Sequence, residues 1–228
     1  MSTPLLEVRD LAMRFGGLLA VDGVSLSVQP QQVVSIIGPN GAGKTTVFNC
    51  LTGFYRPSGG SIHFSGQAIH GLRDHQIARK GVVRTFQNVR LFRDMTAVEN
   101  LLVAQHKHLN TGLLSGLFKT PAFRRSEKEA LDFAAQWLER VGLTEIANRP
   151  AGTLAYGQQR RLEIARCMMT RPSLLMLDEP AAGLNPRETE ELEALLAGLR
   201  QEHQITVLLI EHDMRLVMSI SDHIYVIN

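Results

Sequence analysis

One run of residues, Gly38-Pro39-Asn40-Gly41-Ala42-Gly43-Lys44-Thr45-Thr46, has the types and order needed to hold a chain of phosphates. It fits the pattern G-x-x-x-x-G-K-[ST] and follows the apolar stretch Val33-Val34-Ser35-Ile36-Ile37. A buried strand would therefore deliver a tight turn into a helix beginning near Lys44. Glycines let backbone N–H groups converge on phosphate oxygens without Cβ clashes. The helix N-terminus adds partial positive charge. Lys44 is expected to reach the β- and γ-phosphates, and the Thr45 hydroxyl to ligate Mg²⁺.

A second run complements the first. Leu174-Leu175-Met176-Leu177-Asp178-Glu179-Pro180 is an apolar strand that ends in adjacent carboxylates. Ligands of open parallel sheets sit at the carboxyl ends of strands. Asp178 is thus expected to face the phosphate loop and hold Mg²⁺, directly or through water. Glu179 would polarise the attacking water. ATP and Mg²⁺ are the cofactors this pairing calls for.

The elements that must position these groups read as an α/β pattern. Strands are expected at Leu5–Met13, around Val24–Val28, at Val33–Ile37, near Ile62–Phe64, and at Val82–Phe86, Leu174–Leu177, Thr206–Ile210 and Ile224–Ile227. The continuous apolar ones indicate a parallel sheet covered on both faces. From Asn88 to Arg160 the character turns helical. A helix is predicted over Val98–His106, then a Gly-punctuated connection over Leu113–Pro121. An amphipathic helix follows over Ser126–Val141, with Ser126 as N-cap, Glu129 at N3 and Gly142 as stop. Its core face is expected to be Leu131, Ala134, Ala135 and Leu138. Asn185 with Pro186 should start a helix to Arg200, and Asp213 should cap a short one over Met214–Ile220.

Leu154-Ala155-Tyr156-Gly157-Gln158-Gln159-Arg160 precedes a helical pattern and then the carboxylate strand. It resembles the Leu-Ser-Gly-Gly-Gln signature of ATP-binding-cassette (ABC) ATPases, and the motif order is the family's. The resemblance implies a P-loop NTPase fold: a mainly parallel sheet with an antiparallel β subdomain and a helical insertion. Residues 1–228 would form a single ABC ATPase domain, with 1–87 and 161–228 as catalytic core and 88–160 as a helical subdomain carrying the signature. Ala155, Tyr156, Gly157 and Gln158 would close over ATP held by another subunit. Gln87 would sense Mg²⁺ and water, His212 would contact the γ-phosphate, and Phe15 would stack on adenine. Ala182-Gly183-Leu184-Asn185 matches the loop that crosses the dimer interface. Ala155 stands where the family has serine, removing a hydroxyl, Tyr156 replaces a glycine, and Asn185 stands where aspartate is commoner.

Met13-Arg14-Phe15-Gly16-Gly17-Leu18, the signature and the Leu113–Arg125 stretch resemble the LivG-type ATPase subunits of bacterial branched-chain amino acid importers. That implies a second ABC ATPase subunit (LivF-type, or a second copy in a homodimer), a pair of membrane permeases, and indirectly a periplasmic binding protein. It places the chain peripherally on the cytoplasmic side of the cell membrane. It also implies a C-terminal portion beyond Asn228. Of the 228 residues 44% are apolar and the net charge is +2, which argues for no polyanionic partner. Cys50 and Cys167 look like buried thiols rather than a metal pair or disulfide. A soluble ABC ATPase acting on nucleic acid or ribosomes is the alternative, with Arg79, Lys80, Arg84, Arg90 and Arg93 as its basic patch. A regulatory nucleotide-binding subunit is a third, resting on the altered signature alone.

Overall fold

The structure, a computed structural model, describes residues 3–87, 89–105 and 121–228. Two compact units divide these residues: one of 1–87 with 172–228, the other of 88–171. This boundary lies beyond the expected 160/161.

The first unit contains two sheets. β1 (Leu6–Phe15), β2 (Leu18–Val28), β4 (Gly59–Phe64) and β5 (Gln67–Ala68) form an antiparallel sheet in the order β2-β1-β4-β5. In β1 the buried residues are Leu6, Val8, Leu11 and Met13. The phase slips by one residue because the register shifts between Val8 and Leu11, where Asp10 takes φ 48°. Such a bulge keeps both apolar pairs on one face.

The second sheet is parallel, in the order β6 (Val82–Arg84), β7 (Leu174–Asp178), β8 (Thr206–Ile210), β3 (Val33–Ile37), β9 (His223–Val226). β7 and β8 are buried at every residue, as continuous apolar strands covered on both faces must be. Between the strands run α1 (Lys44–Leu51) and α2 (Asp74–Arg79), and later α6 (Pro186–His203) and α7 (Met214–Ile220). α1 buries Val47, Phe48, Cys50 and Leu51 in the same core as Val34, Ile36, Leu208 and Ile210. α6 starts as expected: Asn185 accepts from the Glu188 N–H at 3.0 Å and Glu188 accepts from the Asn185 N–H at 3.0 Å. Asp213 accepts the first N–H groups of α7. Tyr225 on β9 joins the sheets, accepting from the Ser27 N–H at 2.9 Å and donating to the Ser27 carbonyl at 3.1 Å.

The second unit packs α3 (Ala97–Gln105), α4 (Pro121–Arg140) and α5 (Tyr156–Met168) against one another. α4 corrects the expected boundaries. It begins at Pro121, a residue suited to a first helical turn, so Ser126 lies inside the helix and caps nothing. Its buried stripe is Ala130, Ala134, Trp137 and Leu138, continued by Val141 just past its end, whereas Leu131 and Ala135 are exposed. The large Trp137 side chain fixes that face, rotated from the expected one. His106 and the Leu113–Thr120 stretch lie outside the described residues. Both cysteines are buried and neither is in a disulfide, and burial pushes their thiols up to about 11 for Cys50 and about 12 for Cys167. They stay protonated near neutrality.

Tyr225→Phe removes both bonds of the bridge between the sheets. The expected outcome is a loss of about 0.5–1.5 kcal/mol of stability for each half-buried bond removed. Denaturant unfolding measures it.

Candidate functional site

Parallel pairing sets the ends of the central strands level. Ile36 of β3 pairs with Ile210 of β8, and Ile210 pairs with Asp178 of β7. The segments that leave these strands therefore emerge along one edge: the glycine-rich turn after β3, Glu211-His212 after β8, and Glu179 after β7.

The glycine-rich turn is shaped by close approaches. Gly43 holds φ 86°, and a Cβ there would lie 2.4 Å from the Ala20 carbonyl oxygen of β2. Gly38 has φ 152°, and a Cβ there would lie 2.0 Å from the Ile227 carbonyl oxygen. No other residue fits either place. Gly43 is the N-cap of α1 and offers no side-chain acceptor, so the first N–H groups of this helix point out of the turn. A cleft of about 300 Å³ opens there, with Asn40, Gly41, Gly43, Lys44, Thr45 and Glu179 in its wall. Thr46 lines it too, as do Leu18, Leu19 and Ala20 of β2. Lys44 is buried, and its Nζ donates to the Gly38 and Pro39 carbonyls at 2.8 Å each. An ammonium carries three donors, so one is left to aim at an anion.

Glu179 has φ 48°, a left-handed conformation that carries strain for a residue with a Cβ. Its N–H still bonds the Ile210 carbonyl at 2.9 Å. Gln87 Nε2 donates to Glu179 Oε2 at 3.2 Å, and His212 Nε2 lies 3.2 Å from Oε1. The sequence-predicted Gln87, Glu179 and His212 are thus brought together on one carboxylate.

Asp178 is buried beside it. Its Oδ2 pairs with Arg84 Nη2 at 2.5 Å, while Oδ1 has no hydrogen-bond partner. A buried carboxylate oxygen without a donor suits a hard cation or its water shell, and Thr45 supplies a hydroxyl in the cleft wall.

Phe15 is exposed at the β1–β2 turn, its ring edge-on to Tyr55 with centroids 5.1 Å apart. It does not line the cleft. The signature belongs to the second unit. Ala155 is the N-cap of α5 and makes no side-chain cap bond, where a serine hydroxyl would supply one. Gln158 Oε1 accepts from the Ala155 N–H at 3.0 Å, Gly157 is buried and Tyr156 exposed.

Sequence reasoning missed several residues. Arg84, placed there in a surface basic patch, has a side chain only 7% exposed and is committed to Asp178. Glu211 is buried, its Oε1 accepting from Ala181 N–H at 2.7 Å and its Oε2 from His212 N–H at 2.9 Å. One carboxylate thereby fixes the loop after Glu179 to the residue that touches Glu179. An acidic residue directly after the apolar run Val207–Ile210 and next to His212 was the available signal. In the second unit, Asn100 is buried and Nδ2 donates to the Phe92, Met95 and Thr96 carbonyls at 3.0, 3.3 and 3.0 Å. It holds the 92–96 segment ahead of α3. Glu163 of α5 accepts from the Arg90 N–H at 3.1 Å and pairs with Arg160, and desolvation raises its carboxyl above the ordinary range.

A parallel sheet whose edge gathers a glycine-rich turn over a cleft, a buried aspartate and a glutamate held by a glutamine and a histidine defines a nucleoside triphosphatase of the P-loop kind. A family model described as ABC transporter matches residues 21–182. The chain is 77% identical over all 228 residues to the "High-affinity branched-chain amino acid transport ATP-binding protein BraF" of Pseudomonas aeruginosa, covering 89% of it. It is 70% identical, with the same coverage, to the LivG protein of that description from Escherichia coli. A crystal structure of an ATP-binding cassette of an ABC transporter in its ADP conformation superposes with TM-score 0.85 at 34% identity, over 99% of this chain and 88% of that one. The chain belongs to the ABC transporter family and is one of its ATPase cassettes.

Glu211→Ala leaves the Ala181 and His212 N–H groups without their acceptor and frees the loops beside Glu179. Steady-state ATPase assays are expected to show turnover falling roughly 100-fold, as for small misplacements of reacting groups. Nucleotide affinity should change little, because Glu211 does not line the cleft.

Proposed function

We propose that this chain is the ATP-hydrolysing subunit of an importer of branched-chain amino acids. The observation that carries the reading is the identity across the whole chain to proteins bearing that description in two bacteria. The cleft and the Glu179 cluster support the hydrolytic part independently. In this reading the amides of Gly41 to Thr46 and the free donor of Lys44 bind the β- and γ-phosphates. Glu179 takes the proton of the attacking water. Its carboxylate is held by Gln87 on one oxygen and His212 on the other, so it cannot swing away when the water arrives. Thr45 and Asp178, with Gln87, would hold Mg²⁺, which when bound offsets phosphate charge. Phe15 offers its exposed ring to the adenine. Lys44→Ala should weaken nucleotide binding.

The partners follow from the same reading. A second ABC ATPase subunit, of the LivF type or another copy, would present its signature to the nucleotide held here. Ala155 to Gln158 of this chain would serve the partner's nucleotide through the α5 N-terminus. Membrane permeases would receive the motion, and a periplasmic binding protein would act at one remove. Among the described residues no helix is long and apolar enough to cross a membrane. A peripheral place on the cytoplasmic face, reached by docking on the permeases, accounts for membrane association. Nucleic acid is not an expected partner, since the basic patch that would serve it loses Arg84 to the interior.

Glu179→Gln keeps the shape of the carboxylate and removes its basicity. With the assembled transporter, the expected result is ATP affinity close to wild type and turnover reduced about 10²–10⁴-fold, the share a general base contributes. Wild-type turnover would remove Glu179 from the role. Amino-acid-stimulated hydrolysis in the presence of a binding protein, strongest with branched aliphatic side chains, tests the substrate class.

A further inference from the structure

Arg84 ends β6 and, although paired with Asp178, has no part in the hydrolytic reading above. Its guanidinium meets Asp178 of β7, Phe48 and Asn49 of α1, and Phe86 just past its own strand. Nη2 bonds Asp178 Oδ2 at 2.5 Å and Nη1 bonds Asn49 Oδ1 on α1 at 2.6 Å. The same group lies over the rings of Phe48 and Phe86, 5.3 and 5.6 Å from their centroids. The Arg84 and Asp178 side chains are 7% and 2% exposed. A guanidinium is planar and offers its donors in fixed directions, so two acceptors and two ring faces hold it in one pose. That pose in turn fixes the Asp178 carboxylate about its last torsion. With Oδ2 occupied, Oδ1 is the oxygen left without a partner.

We propose that Arg84 is a positioning residue for the divalent cation that accompanies the nucleotide: it orients Asp178 so that one carboxylate oxygen is presented to the metal shell. The proposal rests on the assignment of Asp178 to Mg²⁺ made above. Two features make this more than a buried ion pair. Arg84 bonds Asn49, which lies in α1, the helix that begins at Lys44 and carries Thr45 in its first turn. The metal carboxylate and the phosphate-binding helix are thus set against each other through one side chain. Arg84 also stands three residues before Gln87, on the strand that leads to it. Displacement of the guanidinium would be felt at the carboxylate, at the helix and at the start of the glutamine segment together. Lysine replaces it only in part, since an ammonium keeps the charge but is a point donor without the planar fork that spans two acceptors and lies against rings.

The test measures binding rather than turnover. The full chain is titrated with a non-hydrolysable ATP analogue by calorimetry, first in EDTA and then across a Mg²⁺ series, for wild type, Arg84→Gln and Arg84→Lys. Circular dichroism and a thermal melt report folding. Partners that orient a metal ligand typically contribute 10–100-fold in metal affinity. Arg84→Gln should therefore keep wild-type affinity in EDTA and need at least about ten-fold more Mg²⁺ for its half-maximal effect. Arg84→Lys should recover only part of the loss, and it carries the test alone if the glutamine variant does not fold. A wild-type Mg²⁺ requirement in the folded variants overturns the proposal, as does an equal loss of affinity in EDTA and in Mg²⁺. A wild-type chain indifferent to Mg²⁺ would instead bring down the Asp178 assignment itself.

Discussion

The structure depends on the register of three buried strands. Ile36, Ile210 and Asp178 lie in one row across β3, β8 and β7, so the segments that follow them start from the same level of the sheet. A slip of one residue in β7 would turn Asp178 to the opposite face and carry Glu179 with it, because side chains alternate along a strand. The apolar residues of β7 and β8, buried throughout, hold the strands between their covering layers. The left-handed turn at Glu179 then redirects the chain at once, keeping its N–H on Ile210 while its carboxylate meets Gln87 and His212. Strain of this kind persists only where neighbours over-determine it. Here the strand bond behind it and the two side chains in front of it do so.

Buried carboxylates link the motifs. A carboxylate removed from water must find donors or a cation. Asp178 finds Arg84, Glu211 finds the N–H groups of Ala181 and His212, and Glu163 finds Arg90 N–H and Arg160. Arg84, Ala181 and Arg90 each lie on a different segment from the carboxylate they meet, while Arg160 shares a helix with Glu163 and His212 adjoins Glu211. The cost of burial is offset by bonds that also set one loop relative to another. Motion at a loop therefore has a route to the neighbouring loop through a charged contact that cannot stretch cheaply. The arrangement suits a cassette in which nucleotide chemistry must be felt away from the phosphates.

Much of this was legible in the sequence. The start of α1 at Lys44, the span of β8 and the caps Asn185 and Asp213 follow from local chemistry, where a few residues decide the outcome. The convergence of Gln87, His212 and Glu179 came from motif resemblance, since no local rule brings residues so far apart in the chain onto one carboxylate. Local rules failed where a distant partner decides. Ser126 looks like an N-cap, but the helix had already begun at Pro121. Leu131 fits an apolar stripe, but Trp137 turns the helix so that Ala130 faces inward instead. Arg84 reads as a surface charge until β6 is placed beside β7, and nothing local gives Glu211 its role until its carboxylate is seen to accept from the N–H of Ala181 in the loop after Glu179.

The most direct measurement of the central claim is a crystal structure of the chain with Mg²⁺ and a non-hydrolysable ATP analogue. The account predicts that the phosphates lie on the amides of Gly41 to Thr46, within hydrogen-bond distance of Lys44 Nζ. It also predicts that the Glu179 carboxylate faces the terminal phosphate with Gln87 and His212 beside it. A triphosphate bound away from this turn, or a terminal phosphate that the Glu179 carboxylate does not face, would contradict it.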